Sequence, residues 1–222
     1  MRTSLTERTL PAYTRGEEIF NMVTHIVGGA IGVGALLACV IVAALNGNVW
    51  GIVNGSIYGA SVIILYTMSS IYHGLKAPMP KKVFQILDHC TIFILIAGTY
   101  TPILLGRFRE LYPLDAWILF GIIWIVAIVG IVFNSIDLKM FKKASLVCYL
   151  GMGWCIVFRL PQILKTYPVP FFMYMLAGGI SYTVGALFYA LGHKKKFIHS
   201  VFHIFTVAAT LLHLIGIVLF VM

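Results

Sequence analysis

Seven apolar segments follow one another along the chain, separated by short stretches rich in Gly, Pro, Asn and Lys. Each segment holds about 20 residues or more, which is enough for an α-helix to cross a membrane. We expect Pro161 to end the fifth segment, because proline interrupts a helix. The predicted spans are Glu18–Leu45, Gly51–Gly74, Val83–Leu105, Leu114–Phe133, Phe141–Leu160, Val169–Leu191 and Phe197–Met222. The pattern therefore predicts an all-α fold, a bundle of seven transmembrane helices.

Composition excludes a water-soluble domain. Hydrophobic residues make up 60% of the chain and charged residues only 10%, and the mean hydropathy is +0.97. Such values are typical of integral membrane proteins. Seven spans with short loops use nearly all of the 222 residues, so we expect no second folded domain.

Loop charges predict how the bundle lies in the membrane. Twelve of the 16 basic residues fall in the N-terminal tail and in the second, fourth and sixth loops, which all lie on one side of a seven-span chain. The positive-inside rule then places the N-terminus in the cytoplasm and the C-terminus outside. Residues 1–17 become a short cytoplasmic tail and residues 18–222 the transmembrane domain. The net charge is +9. We expect the basic residues to contact anionic lipid headgroups at the cytoplasmic face, and we expect no binding of nucleic acid.

Polar residues near that same face carry the candidate chemistry. His73 ends the second span, Asp88 lies early in the third, and His199 and His203 begin the seventh. Ionisable side chains inside a bilayer are costly and usually functional. The helical rise places Asp88 and His203 at a similar depth, about 10 Å inside the lysines of their loops. Neighbouring helices can therefore bring these side chains together.

Three histidines with an open fourth position are typical of a catalytic zinc site. His73, His199 and His203 form such a set, and Asp88 is either a fourth ligand or a base that takes a proton from water at the metal. Ser69 lies one helical turn before His73, so its hydroxyl can donate to an oxyanion or orient the water. Single histidines and serines in membranes often only hydrogen-bond a neighbouring helix. The matching depths favour the metal.

Glu18, Asn21 and His25 form a polar stripe on the first span, since they are spaced three and four residues apart. His25 lies deeper than the predicted ligands, so we expect this stripe to support them through hydrogen bonds or packing. His89 follows Asp88 but points about 100° away from it, and we expect it to face another helix or the headgroups.

Several motifs together are similar to one family. They are Glu17-Glu18-x-x-Asn21-x-x-Thr24-His25, Ser69-x-x-x-His73, Asp88-His89-x-x-Ile92-Phe93, Ala97-Gly98-Thr99-Tyr100-Thr101-Pro102, Gly178-Gly179-x-Ser181-Tyr182-x-x-Gly185 and His199-Ser200-x-Phe202-His203. In this order, along nearly the whole chain, they resemble the hemolysin III group of bacterial proteins within the wider family of progestin and adipoQ receptors.

The resemblance implies the same site. In the adiponectin receptors one histidine of the second helix and two of the seventh hold zinc near the cytoplasmic face, and an aspartate of the third binds through water. These positions correspond to His73, His199, His203 and Asp88, and the family's serine corresponds to Ser69. Relatives include alkaline ceramidases, which implies a lipid amide or ester as substrate. Bacterial members are linked to haemolysis and to membrane lipid homeostasis. Resemblance to these members implies that the protein lies in the bacterial inner membrane.

Three functions follow as hypotheses. The first is a zinc-dependent hydrolase of a membrane lipid, with Asp88 as base and Ser69 assisting the oxyanion. The second is a non-catalytic sensor or regulator in which zinc ties the second and seventh helices together. The third is a pore-forming haemolysin, which a seven-span integral protein without a soluble form does not favour.

Overall fold

The computed structural model describes residues 3–191 and 195–222, and all regular secondary structure in those ranges is helical. Seven of its helical segments are long and apolar enough to cross a membrane. We number them spans 1 to 7: Arg15–Leu45, Val49–Gly74, Pro78–Leu111, Pro113–Asp137, Lys142–Thr166, Val169–Leu191 and Ile198–Phe220. The predicted seven-helix fold is confirmed.

Span 1 begins at Arg15 because Thr14 and Glu17 form a capping box. The Thr14 hydroxyl accepts a hydrogen bond from the Glu17 amide, and the Glu17 carboxylate accepts one from the Thr14 amide. The two contacts satisfy amides that have no partner at a helix start. The helix therefore begins three residues before the predicted boundary at Glu18.

Two spans contain irregular turns. In span 3 Pro102 lies inside the helix, and a π-helical turn at Leu104–Phe108 follows the last α-helical residue, Ile103. Proline removes a backbone hydrogen bond, so a wide turn next to it is expected. In span 5 a 3₁₀ turn at Cys155–Arg159 separates two α-helical pieces.

The predicted end of the fifth span at Leu160 is wrong. A short helix, Leu160–Thr166, continues the span, and Pro161 lies in its first turn. The 3₁₀ turn has already interrupted the hydrogen-bond pattern before Pro161. Proline is tolerated in the first turn of a new helix, where its missing N–H costs nothing.

Each span packs against its neighbours in sequence, and span 1 packs against span 7, so the seven helices form a closed ring with span 3 the most buried. Glycine allows the closest of these contacts. A Cβ on Gly28 would lie 2.5 Å from the Tyr66 ring, so spans 1 and 2 approach here only because Gly28 has no side chain. Large apolar residues such as Ile26, Ile41 and Ile125 stay exposed on the outside of the ring, as expected for a surface that faces lipid.

Candidate metal centre

Three buried histidines from two spans converge at one end of the bundle. His73 lies in the last turn of span 2, and His199 and His203 lie in the first two turns of span 7. Each offers a ring nitrogen, and the three nitrogens all lie within 4.8 Å of one another. Residues four apart on a helix share a face, which explains why span 7 presents both of its histidines to span 2. The structure thus brings together the three predicted ligands.

The ring nitrogens have no ordinary hydrogen-bonding arrangement. Nε2 of His203 faces Nε2 of His199 at 3.0 Å. Nε2 of His73 is buried and has no hydrogen-bond partner among the described residues. Buried polar atoms are nearly always paired, so an orphaned imidazole nitrogen beside two others needs an explanation. Three imidazole nitrogens around one point are the donors that zinc and similar transition metals prefer. The residues present fit a metal ion.

Glu18 of span 1 holds His73 in place. One carboxylate oxygen lies 2.7 Å from Nδ1 of His73, and the other accepts from the Lys81 ammonium at 2.9 Å. A carboxylate at Nδ1 keeps the proton on that nitrogen and leaves Nε2 free to bind a metal. The polar stripe predicted on span 1 therefore begins with a direct contact to a candidate ligand.

Asn21 and His25 continue this stripe and contact span 7. The Asn21 side-chain oxygen accepts from the Ser200 hydroxyl at 2.7 Å. The His25 ring stacks on the His203 ring, with centroids 3.7 Å apart and planes 15° apart. These contacts are of the supporting kind expected from the sequence, while an influence on metal binding stays a prediction.

Asp88 lies beside the histidines but outside their compact group. Among the described residues, the atoms within 4.8 Å of one another come from the three histidines alone. Asp88 and Ser69 line one cavity together with His199 and His203. The Ser69 hydroxyl is buried and close to Asp88, but within the part of the chain that the structure describes it makes no hydrogen bond of good geometry. Both predicted roles of Asp88, as a fourth metal ligand and as a base acting on water at the metal, stay predictions.

Sequence reasoning missed Tyr13. Its ring stacks on His199, with centroids 5.0 Å apart and planes 23° apart, and lies 5.8 Å from the ring of His73. Burial raises the pKa of the Tyr13 hydroxyl, so the ring stays neutral where it covers the histidines. The residue falls in the polar tail, where no helical period marks it as part of a site.

His89 faces another helix, as predicted, since its Nε2 lies 3.1 Å from the Tyr189 hydroxyl of span 6. Both side chains also line the cavity that holds Asp88. This cavity has a volume of about 150 Å³ and mostly apolar walls. His199 and His213, which lie about 21 Å apart along span 7, both border it, so it is elongated along the bundle. The candidate metal centre therefore adjoins a narrow apolar channel.

A sequence model described as "Haemolysin-III related" matches residues 13–214, which is most of the chain. The chain belongs to the haemolysin-III related family. The matched range contains every candidate ligand as well as Tyr13, Ser69 and Asp88. Membership agrees with the resemblance that the sequence motifs indicated.

Relatives of this haemolysin-III related protein come from bacteria and animals. It is 40% identical over 194 residues to "Hemolysin-3" of Bacillus cereus, covering 87% of each chain. It is 35% identical over 198 residues to "Hemolysin-3 homolog" of Bacillus subtilis (strain 168), covering 89% of this chain and 91% of the relative. It is also 24% identical over 186 residues to the human "Monocyte to macrophage differentiation factor", covering 81% of this chain and 75% of the relative.

Proposed function

We propose that this haemolysin-III related protein is a zinc-dependent hydrolase that cleaves an amide or ester bond of a membrane lipid and so serves membrane lipid homeostasis. The observation that carries the proposal is the convergence of His73, His199 and His203, two of which, His199 and His203, line a cavity together with Asp88 and Ser69. Metal ligands, a carboxylate and a hydroxyl around one space are the groups that hydrolysis of a carbonyl compound needs.

Zinc held by the three histidines would supply a Lewis acid for the carbonyl of the scissile bond. Glu18 holds His73 in the tautomer that leaves Nε2 for the metal. His25 stacks on His203 and limits rotation of its ring. Three protein ligands leave an open position, which separates a catalytic site from a closed structural one.

Asp88 would act as the general base, because its carboxylate lines the same cavity as His199 and His203. The Ser69 hydroxyl lies close to Asp88 and makes no hydrogen bond of good geometry among the described residues, so it can donate to the oxyanion that forms on the carbonyl. The apolar channel would take an acyl chain, which excludes water from everything except the reacting end. Tyr13 covers the histidines from the side of the N-terminal segment.

The decisive experiment uses purified full-length protein loaded with zinc, and measures release of fatty acid from ceramides and glycerolipids. Asp88→Asn should lower turnover at least about 100-fold while the protein still binds zinc, since removing a general base costs about that much. Ser69→Ala should lower turnover, and Ser70→Ala serves as its control, because the Ser70 hydroxyl is bonded to the Tyr66 carbonyl. Full lipid turnover by Asp88→Asn would overturn this mechanism.

Metal analysis tests the site itself. Wild-type protein should contain about one equivalent of zinc, and a variant with both His199 and His203 replaced by alanine should lose it. No transition metal in the wild type would overturn the site.

A structural role for zinc is the second candidate, because the three histidines join span 2 to span 7 and a bound ion would cross-link them. In that case chelation lowers the melting temperature and no lipid is consumed under any condition. A pore-forming haemolysin, the activity that the relatives' names suggest, instead predicts release of dye from liposomes by zinc-free protein.

A further inference from the structure

A second cavity, of about 330 Å³, lies beneath the N-terminal segment that precedes span 1. The segment forms its roof through Thr9, Leu10 and Pro11, and the ends of spans 2, 4 and 6 and the beginnings of spans 3, 5 and 7 supply other walls. Two hydrogen bonds attach this N-terminal segment to the helical bundle. The Thr3 amide donates to the Asp137 carboxylate at 2.7 Å, and the Lys82 ammonium donates to the Thr6 carbonyl at 2.7 Å.

Arg8 lines this cavity and has no counter-ion among the described residues. The residue is only 7% exposed. Its Nε and Nη1 atoms are buried and have no hydrogen-bond partner in the part of the chain that the structure describes. Across residues 3–191 and 195–222 the structure gives Arg8 no carboxylate within ion-pair distance. Buried arginine is almost always paired, because desolvating its charge without compensation is costly.

The other charged groups around the cavity favour an anion. Lys139 and Lys142 also line it, so three basic residues face one acidic residue, Glu7. The Glu7 carboxylate accepts from the Ser4 hydroxyl at 2.7 Å and from the Ser4 amide at 3.2 Å. These bonds lower the pKa of Glu7. The Glu7 carboxylate is therefore hydrogen-bonded within its own turn and not to Arg8. The cavity as a whole keeps an excess of positive charge.

We propose that this cavity binds a phosphate group, with Arg8 as its principal ligand and Lys139 adding charge. A guanidinium donates two parallel hydrogen bonds to two oxygens of one phosphate, which is its preferred geometry. The phosphate supplies the counter-charge and the acceptors that Arg8 lacks within the protein.

The phosphate site lies next to the apolar channel. His89, Tyr189 and His199 line both cavities. An amphiphile with its phosphate beside Arg8 and an acyl chain in the channel would have the bond that links these two parts next to His199. That this amphiphile is the substrate rests on the proposed hydrolase function, whereas the phosphate site does not.

The test is calorimetric titration of full-length protein in a neutral detergent with three ligands. They are dihexanoyl phosphatidic acid, inorganic phosphate, and dihexanoylglycerol, which is the same lipid without the phosphate. Arg8→Gln should weaken the binding of phosphatidic acid at least about tenfold, as expected for loss of charge-assisted hydrogen bonds. Lys143→Gln is the matched control, since this exposed lysine lies beside Lys142 but does not line the cavity. We expect it to change affinity less than about twofold.

The ligands distinguish the source of the phosphate. If phosphatidic acid binds and inorganic phosphate does not, the site is assigned to a lipid headgroup. If Arg8→Gln weakens the binding of inorganic phosphate as much as that of phosphatidic acid, the site is assigned to the free ion. Failure of both to bind, equally tight binding of dihexanoylglycerol, or equal losses in the two variants would overturn the proposal. Arg8→Gln without ligand should melt no lower than wild type, because it removes an unpaired buried charge. A large drop would mean that Arg8 already has a partner within the protein, and would also overturn it.

Asp88→Asn separates this proposal from the hydrolase. It should bind phosphatidic acid as wild type does while its lipid turnover disappears. Turnover without phosphate binding would leave the hydrolase standing and remove the phosphate site.

Discussion

At the scale of single residues, the candidate metal centre depends on one carboxylate that belongs to neither ligand-bearing helix. Glu18 extends from span 1 and contacts both His73 and Lys81. Lys81 in turn donates to the carbonyls of Tyr72 and Leu75, at the end of span 2. The carboxylate therefore orients a candidate ligand and also connects three spans beside it.

Glu18→Gln should weaken metal binding about 10- to 100-fold, the usual effect of removing the hydrogen-bond partner of a metal-binding histidine. The amide keeps the shape of the side chain but does not hold the proton on Nδ1 of His73 as a carboxylate does. A chelator-competition titration with zinc measures the change.

Glu17→Gln is the control for this substitution. The Glu17 carboxylate accepts from the Phe197 and Thr14 amides and contacts none of the three histidines. We expect it to lower the melting temperature while zinc affinity changes less than about threefold, since its contacts are those of a helix cap. Equal effects of the two substitutions on zinc affinity would contradict the role assigned to Glu18.

Sequence alone predicted the three histidines because depth along a helix can be counted from the loop lysines. It could not predict Tyr13 or Arg8, because both lie in a polar segment without a helical period, and only packing brings them to the site. For His89, the angular argument left another helix or the headgroups as neighbours, and the structure shows the first of these. It did not predict that the same ring borders two cavities, since one helix does not determine the space between several.

At the scale of helices, the site depends on how closely span 1 approaches span 2. Gly28 packs directly on the Tyr66 ring. That ring contacts His25 edge-on, with centroids 4.9 Å apart, and its hydroxyl bonds the Thr210 hydroxyl of span 7 at 2.7 Å. A shift of Tyr66 is therefore transmitted to two other spans.

Gly28→Ala should destabilise the protein by about 1–3 kcal/mol, because an added methyl overpacks a rigid ring. Gly34→Ala is the matched control on the same helix, where an added Cβ meets nothing within 4 Å. It should leave stability unchanged or slightly higher, since alanine favours helix more than glycine does. Thermal unfolding in detergent compares the two, and an equal response would contradict the close-packing argument.

Span boundaries were predictable where glycine and asparagine interrupt the apolar pattern, as at the end of span 1, where Asn46-Gly47-Asn48 follows Leu45. They were not predictable at Pro161, because the effect of a proline depends on whether the helix before it has already been broken. That break is a 3₁₀ turn with no strong signal in its sequence, Cys155–Arg159.

At the scale of the whole molecule, the ring of seven helices has one strongly basic end. That end carries the N-terminal segment, the candidate metal centre and the cavity beside Arg8. Loop charges predict that it faces the cytoplasm. The fold and the number of spans are confirmed, whereas this orientation stays a prediction.

Cysteine labelling tests the orientation. In intact spheroplasts an impermeant maleimide should label Arg107→Cys, an exposed site on the sparsely charged side, and should label Lys143→Cys only after permeabilisation. The parental protein measures background, because its four cysteines are buried or half-buried. The opposite labelling pattern would reverse the assignment and place the metal centre outside the cytoplasm.

Closure of the ring has a consequence for biosynthesis. Span 1 meets span 7 through two hydrogen bonds, from the Phe197 amide to Glu17 and from the Ser200 hydroxyl to Asn21. Chains are synthesised from the N-terminus, so Glu18 and His73 enter the membrane long before His199 and His203 exist. A nascent chain halted before the last span holds one imidazole of the three. A metal held by all three histidines would therefore bind only after span 7 has been synthesised.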